Sequence, residues 1–153
     1  MAQLKVGDNA PDFTLPDQAG NAIRLSTMRG KKVLLYFYPR ADTPGCTKQS
    51  CSVRDAREDL TGAGVITLGI SPDKPEKQKK FDDKFGLGFS LLSDTDHTVA
   101  ESYGAWGEKN MFGKKVQGII RSSFLVDEEG KLAQVAYKVK PEETVPRAQA
   151  ALA

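Results

Sequence analysis

Only two cysteines, one histidine and one tryptophan occur in this chain of 153 residues. Two cysteines are too few to staple a chain of this length, which excludes a disulfide scaffold, and two cysteines with the lone His97 do not make a zinc site. No apolar run approaches the roughly 20 residues that a membrane-spanning helix needs. The N-terminus, Met1 to Asp8, has no basic segment leading into an apolar one, so we expect a soluble, cytoplasmic protein with no membrane partner. Charge of one sign is also lacking. Lysine and arginine number 22 against 20 acidic residues, a formal net charge of +2, and such a balance implies no field for nucleic acid. Internal repeats, low-complexity tracts and linkers are absent, and 39% apolar residues suffice for one core, so a single domain over 1–153 is expected.

What is present is a series of short β-like runs separated by helical patterns. Phe13 to Leu15 and Ile23 to Leu25, joined by Pro16-Asp17-Gln18-Ala19-Gly20, predict an N-terminal hairpin. Val33 to Tyr38 and Val65 to Ser71 read as buried strands, and the stretch between them, free of Gly and Pro from Thr47 to Leu60, predicts a helix. Strand, helix and strand in that order form a parallel βαβ unit. A charged helix from Ser71-Pro72 to about Lys84, a short strand Phe89 to Leu92 and a helix Asp94 to Tyr103 follow. Lys77, Lys79, Lys80 and Lys84 on that charged helix read as a solvated face. The segment around Trp106 reads as a packed loop. Ser122 to Val126 and Leu132 to Tyr137, on either side of Asp127-Glu128-Glu129-Gly130, predict a second hairpin. A last helix is expected from Val145 to Leu152, with Pro146 confined to its first turn. The fold class is therefore α/β, a mixed central sheet with helices on both faces.

Both cysteines lie in Thr43-Pro44-Gly45-Cys46-Thr47-Lys48-Gln49-Ser50-Cys51, directly after the first buried strand, with Pro44-Gly45 read as the turn that ends it. Cys46 then falls at a helix N-terminus, where unpaired amides and the positive end of the dipole favour a thiolate. Gly45 has no side chain to block the approach of a substrate. Thr43 carries a hydroxyl that can both donate and accept, which suits a substrate with a proton on one oxygen and developing charge on another. Pro39 and Pro44 restrict the backbone and can shield the sulfur from water. Arg121, at the start of the strand Ser122 to Val126, is the best placed permanent charge to complete such a site.

Tyr36-Phe37-Tyr38-Pro39, Thr43-Pro44-Gly45-Cys46-Thr47, Cys51 and Arg121-Ser122-Ser123-Phe124-Leu125-Val126 together resemble the peroxiredoxins, most closely the bacterioferritin comigratory protein or peroxiredoxin Q subfamily. The resemblance extends to Ala10-Pro11-Asp12-Phe13-Thr14-Leu15-Pro16-Asp17, Leu68-Gly69-Ile70-Ser71 and Tyr103-Gly104-Ala105-Trp106-Gly107-Glu108-Lys109, and so covers nearly the whole chain. It implies a thioredoxin-like fold with an N-terminal extension, and a thiol peroxidase without metal, haem or other cofactor. By the same resemblance Cys46 is the peroxidatic cysteine, Cys51 the resolving one, Thr43 and Arg121 the groups that activate and position peroxide, and Pro39 part of the pocket. Hydrogen peroxide and organic hydroperoxides are the implied substrates, thioredoxin or a similar dithiol the implied reductant, and a monomer the implied state. Gln49 departs from the glutamate that many relatives carry three residues after the peroxidatic cysteine. A protein disulfide oxidoreductase would use the same cysteines, although such sites usually have C-x-x-C spacing. A non-enzymatic redox sensor or holdase is the other alternative.

Five positions of intact helix would separate Cys46 from Cys51 by about 8 to 9 Å between Cα atoms, while a disulfide tolerates no more than about 7 Å. The first turns of this helix must therefore unwind if the two are to join.

Overall fold

The computed structural model of the protein describes residues 3–111 and 113–152. Its strands and helices follow from alternation and capping. The N-terminal hairpin pairs β1 (Thr14–Pro16) with β2 (Ala22–Arg24) antiparallel, Leu15 opposite Ile23. β3 (Lys32–Phe37) is the central strand. Its alternate side chains divide between two cores, Val33, Leu35 and Phe37 on one face and Leu34 and Tyr36 on the other. After it come α1 (Pro44–Asp55), α2 (Arg57–Gly62), β4 (Val65–Ser71), α3 (Pro75–Phe85), β5 (Ser90–Ser93) and α4 (Thr98–Ser102). The chain then forms β6 (Trp106–Met111), β7 (Lys114–Ile119), β8 (Ser122–Val126), β9 (Leu132–Ala136) and α5 (Thr144–Leu152).

The five-stranded sheet has the order β5-β4-β3-β8-β9. β3, β4 and β5 run parallel, whereas β8 is antiparallel to both β3 and β9, so the sheet is mixed. One core packs the N-terminal hairpin and Ala100 of α4 against Phe37, Ile70 and Phe124. The other packs Cys46 and Val53 of α1, Phe81 of α3 and Ala148 of α5 against Leu34, Tyr36 and Leu125. This is the thioredoxin-like α/β arrangement with its N-terminal hairpin. Among the described residues no helix is long and apolar enough to cross a membrane.

Four local expectations need correction. Pro44-Gly45 is the start of α1, not a turn before it: Thr43 is the N-cap and Pro44 occupies the first turn, where its missing N–H costs no helical bond. The helix also breaks at Ala56 (φ −91°, ψ 1°), whose amide is shared between the carbonyls of Ser52 and Val53. This bend lets Val53 and Leu60 both reach the core. α4 is shorter than expected because the Asp94 carboxylate accepts from the amides of Val99 and Ala100, at 3.2 and 2.8 Å, while His97 holds a left-handed φ of 52°. The segment around Trp106 is not a loop but β6, paired antiparallel with β7, Trp106 opposite Ile119. On α3, Lys79 pairs with Asp83 and Lys84 reaches Asp42, as expected of a solvated face.

Candidate active site

Strand register brings the candidate residues together. β8 is antiparallel to β3 with Phe37 opposite Ser122, so Arg121 enters the sheet level with Tyr38, where β3 hands the chain to the cysteine segment. Three buried side chains and the half-buried Asp73 hold that segment in place. Tyr38 donates to Gln78 Oε1 at 2.5 Å, Gln78 donates to Ser71 Oγ at 2.8 Å, and Ser71 donates to Asp73 Oδ2 at 2.8 Å. Asp73 Oδ2 in turn accepts the Ala41 amide at 2.6 Å, which anchors the loop before Thr43. Burial drives the Tyr38 phenol well above its ordinary pKa, with the neighbouring Tyr36 adding to the rise, so Tyr38 stays a neutral donor.

Cys46 sits in the first turn of α1 and is only 1% exposed. Helix geometry leaves the amides of Gly45 and Cys46 without an intrahelical acceptor, and the Thr47 amide is the first to bond back, to the Thr43 carbonyl at 2.8 Å. Arg121 Nη2 donates to Cys46 Sγ at 3.2 Å, placing a permanent positive charge against the sulfur. Its Nη1 donates to Gln49 Oε1 at 2.5 Å, so one guanidinium bridges the cysteine and the residue one helical turn later. Gln49, whose amide replaces the glutamate of many relatives, therefore still serves as an acceptor that orients the arginine. Its own Nε2 donates to Thr144 Oγ1 at 2.8 Å.

The remaining expected residues surround this bridge. Thr43 caps through its backbone, and its hydroxyl donates to the Arg40 carbonyl at 2.9 Å. Gly45 lies under the guanidinium: a Cβ there would come within 3.2 Å of Arg121 Nη2 and 3.6 Å of Pro141 Cγ. Pro39 lines an open cavity of about 460 Å³ together with Lys109, Ile119, Ile120, Arg121 and Val139. Cys46 and Thr43 are not in that lining, so Arg121 is the side chain common to cavity and sulfur.

Cys51 lies on the same helix, half-buried and packed against the core that contains Cys46. Both cysteines are free thiols. Between them, Ser50 shares a hydrogen bond of 2.9 Å with the buried Tyr36 hydroxyl. Burial pushes the Tyr36 phenol far above its ordinary value, the Ser50 hydrogen bond opposing, so Tyr36 too remains neutral.

Sequence reasoning gave no role to Lys109, Ser50, Tyr36 or Thr144, although Lys109 and Tyr36 lie in stretches that carry the resemblance. The stem of Lys109 crosses Gly118, where a Cβ would meet its Cε at 2.9 Å, and its ammonium donates to the Ile119 carbonyl at 3.0 Å beside the cavity. Burial lowers the Lys109 pKa, an effect that a charge on Cys46 opposes and Arg121 reinforces. The small residue at 118 is a further signal, which acquires meaning only once β6 and β7 are paired.

A thioredoxin-like sheet that presents a cysteine at a helix N-terminus, under an arginine from a neighbouring strand, defines a thiol peroxidase of the peroxiredoxin class. Residues 6–135 match the AhpC/TSA family, and the chain belongs to that family. It is 54% identical to peroxiredoxin Bcp of Escherichia coli strain K12 over 135 residues, 88% of this chain and 86% of that protein. Among solved structures it superposes on peroxidoxin BcpB of Mycobacterium tuberculosis with a TM-score of 0.87 at 36% identity, covering 98% of this chain and 97% of that one. Peroxiredoxin Q of Xanthomonas campestris gives 0.86 at 35% identity, covering 92% and 89%.

Proposed function

We propose that Cys46 is the peroxidatic cysteine of a thioredoxin-dependent peroxidase and that Cys51 resolves it. The Cys46 thiolate attacks one oxygen of a hydroperoxide in line with the O–O bond. That bond breaks, the departing oxygen takes up a proton from solvent and leaves as water or an alcohol, and the sulfur, now carrying the other oxygen and its hydrogen, becomes a sulfenic acid. Thr43, with its own hydrogen on the Arg40 carbonyl, keeps lone pairs free to accept a hydrogen bond from the peroxide O–H, while Arg121 stabilises charge developing on the departing oxygen. Gly45 leaves room for the arginine and Pro39 walls the approach. The Cys51 thiol then condenses with the sulfenic acid, losing water to give an intramolecular disulfide. Thioredoxin or a similar dithiol reopens it by exchange.

The observation that carries this reading is the Arg121 bridge between Cys46 Sγ and Gln49 at the start of α1. We place the protein in the cytoplasm as a monomer that contributes to cell redox homeostasis, with hydrogen peroxide and organic hydroperoxides as substrates.

Stopped-flow reaction with hydrogen peroxide and with an organic hydroperoxide, in the wild type and in Cys46→Ser and Cys51→Ser, tests this assignment. Cys46→Ser should abolish reaction; Cys51→Ser should keep the first turnover and lose thioredoxin-linked cycling. Full multiple turnover with thioredoxin in Cys51→Ser would remove Cys51 from its role. Insulin-disulfide reduction and client-aggregation assays separate the reading from an oxidoreductase and a holdase, either of which would be active there without consuming peroxide.

A further inference from the structure

We propose that Thr144, at the start of α5, is a positioning residue for the peroxide reaction: it fixes the Gln49 amide with its oxygen toward Arg121 and so holds the guanidinium on Cys46. The inference rests on Cys46 being the peroxidatic cysteine.

The argument is one of donors and acceptors. A guanidinium has five N–H groups and no acceptor, so the Gln49 atom facing Arg121 must be the amide oxygen. The two ends of a glutamine amide differ little in size, and only their hydrogen-bond partners distinguish them. Gln49 is fully buried, so bulk water does not make that choice. The guanidinium makes it, and Thr144, also fully buried, secures it: its hydroxyl oxygen accepts from Gln49 Nε2 at 2.8 Å across 95 positions of sequence, so the buried NH₂ end has a partner in that orientation. Without that acceptor the buried NH₂ end loses its partner, and the amide is free to tilt away from the guanidinium. The segment carrying Thr144 is itself seated on the site, because Pro141, in the 3-10 turn Pro141–Glu143 that leads into α5, lies 3.6 Å from where a Gly45 Cβ would stand. A glutamate at position 49 would present two equivalent acceptor oxygens and would need no such lock. The need for Thr144 is therefore tied to position 49 being glutamine and not glutamate.

The test is a cycle of variants read by the second-order rate constant of the reduced protein with hydrogen peroxide. Thr144→Val, which keeps the shape and removes the hydroxyl, should slow the reaction by about tenfold, the equivalent of one lost hydrogen-bond increment. Thr144→Ser should restore the rate to within about twofold, and in a Gln49→Glu background Thr144→Val should change it by less than about twofold. An equal loss in both backgrounds would mean that Thr144 only packs, and no loss in the wild-type background would mean that the amide is oriented without it; either overturns the proposal.

Should Thr144→Val fail to fold, the intact wild type still decides the matter through the side-chain amide protons of Gln49. In reduced protein these should exchange far more slowly than those of the exposed Gln117, and equal exchange would remove the lock. A wild type that consumes no peroxide overturns the functional reading itself. That result is distinct from the equal losses that would discard only the part given to Thr144.

Discussion

At the scale of single residues, the site depends on groups that touch the sulfur and on the absence of groups that would crowd it. Arg121 combines a permanent charge with a fork that can hold Cys46 and Gln49 at once. Lysine has the charge without the fork, so Arg121→Lys should lower the rate constant with peroxide by about 10²-fold, in the range seen when one transition-state donor is removed. Stopped-flow kinetics at a pH where both proteins are folded would measure it, and a loss under threefold would mean that charge alone suffices. Gly45 contributes by what it lacks. In Gly45→Ala the new methyl stands 3.2 Å from Arg121 Nη2 and must displace it by some tenths of an ångström. We expect a rate about tenfold lower at nearly unchanged thermal stability, because a misplacement of this kind acts on geometry more than on the fold. Gln49 shows how chemistry at one position is judged by its partners. Its departure from glutamate left its role open in the sequence, and two hydrogen bonds, from Arg121 and to Thr144, define it as an orienting acceptor.

At the scale of elements, the proposed cycle gives α1 two conflicting duties: intact, it aligns Cys46 with Arg121; unwound, it lets Cys51 approach. Both cysteines are reduced and α1 is continuous from Pro44 to Asp55. The reduced state should therefore protect the amides of residues 47–52, and the disulfide state should lose that protection because intact helix holds the pair about 8 to 9 Å apart. Hydrogen exchange with mass spectrometry on the two redox forms reads this directly, and equal protection in both would contradict it. Ser50 adds a latch, since its hydrogen bond to the buried Tyr36 hydroxyl must break for the helix to unwind across Cys51. Ser50→Ala removes that bond in advance. Disulfide formation after the first turnover should then be faster, by as much as about tenfold for a hydrogen bond of ordinary net strength, and slower overoxidation at high peroxide should accompany it. An unchanged rate of disulfide formation would show that the latch lies elsewhere. The loop before α1 is held separately by Asp73 through the Ala41 amide, so unwinding has a fixed N-terminal boundary.

At the scale of the whole molecule, the sheet is a platform whose central strands tolerate little change. Gly69 on β4 faces Tyr36 on β3 in register, and a Cβ at 69 would stand 2.7 Å from the Tyr36 hydroxyl and 3.1 Å from Leu91 Cδ2. Gly69→Ala should destabilise the fold by about 1 to 3 kcal/mol through overpacking, seen as a lower urea midpoint with unchanged m-value. It should also disturb the Tyr36–Ser50 pair beneath α1. Much of this architecture was legible beforehand. The β-branched run at 33–38, the strand at 65–71, the terminal hairpins and the final helix all carry strong periodicity or turn chemistry, and each was found within a few residues. The β6–β7 ribbon escaped because Lys114 to Gln117 is exposed throughout, which leaves no buried face for alternation to reveal. Helix ends moved where capping is non-local, as with Asp94 and α4. What the sequence determined by itself is whatever nearest neighbours decide: which cysteine stands at a helix start, how far the second lies along the same helix, and hence that the helix must open if the two are to join. Only the tertiary structure decided what comes from distant strands and helices, namely that Arg121 reaches Cys46 across 75 positions and Thr144 reaches Gln49 across 95. The physical reason is that strand register and helix packing are set by burial over the entire core, and no local pattern encodes which polar groups that packing brings face to face.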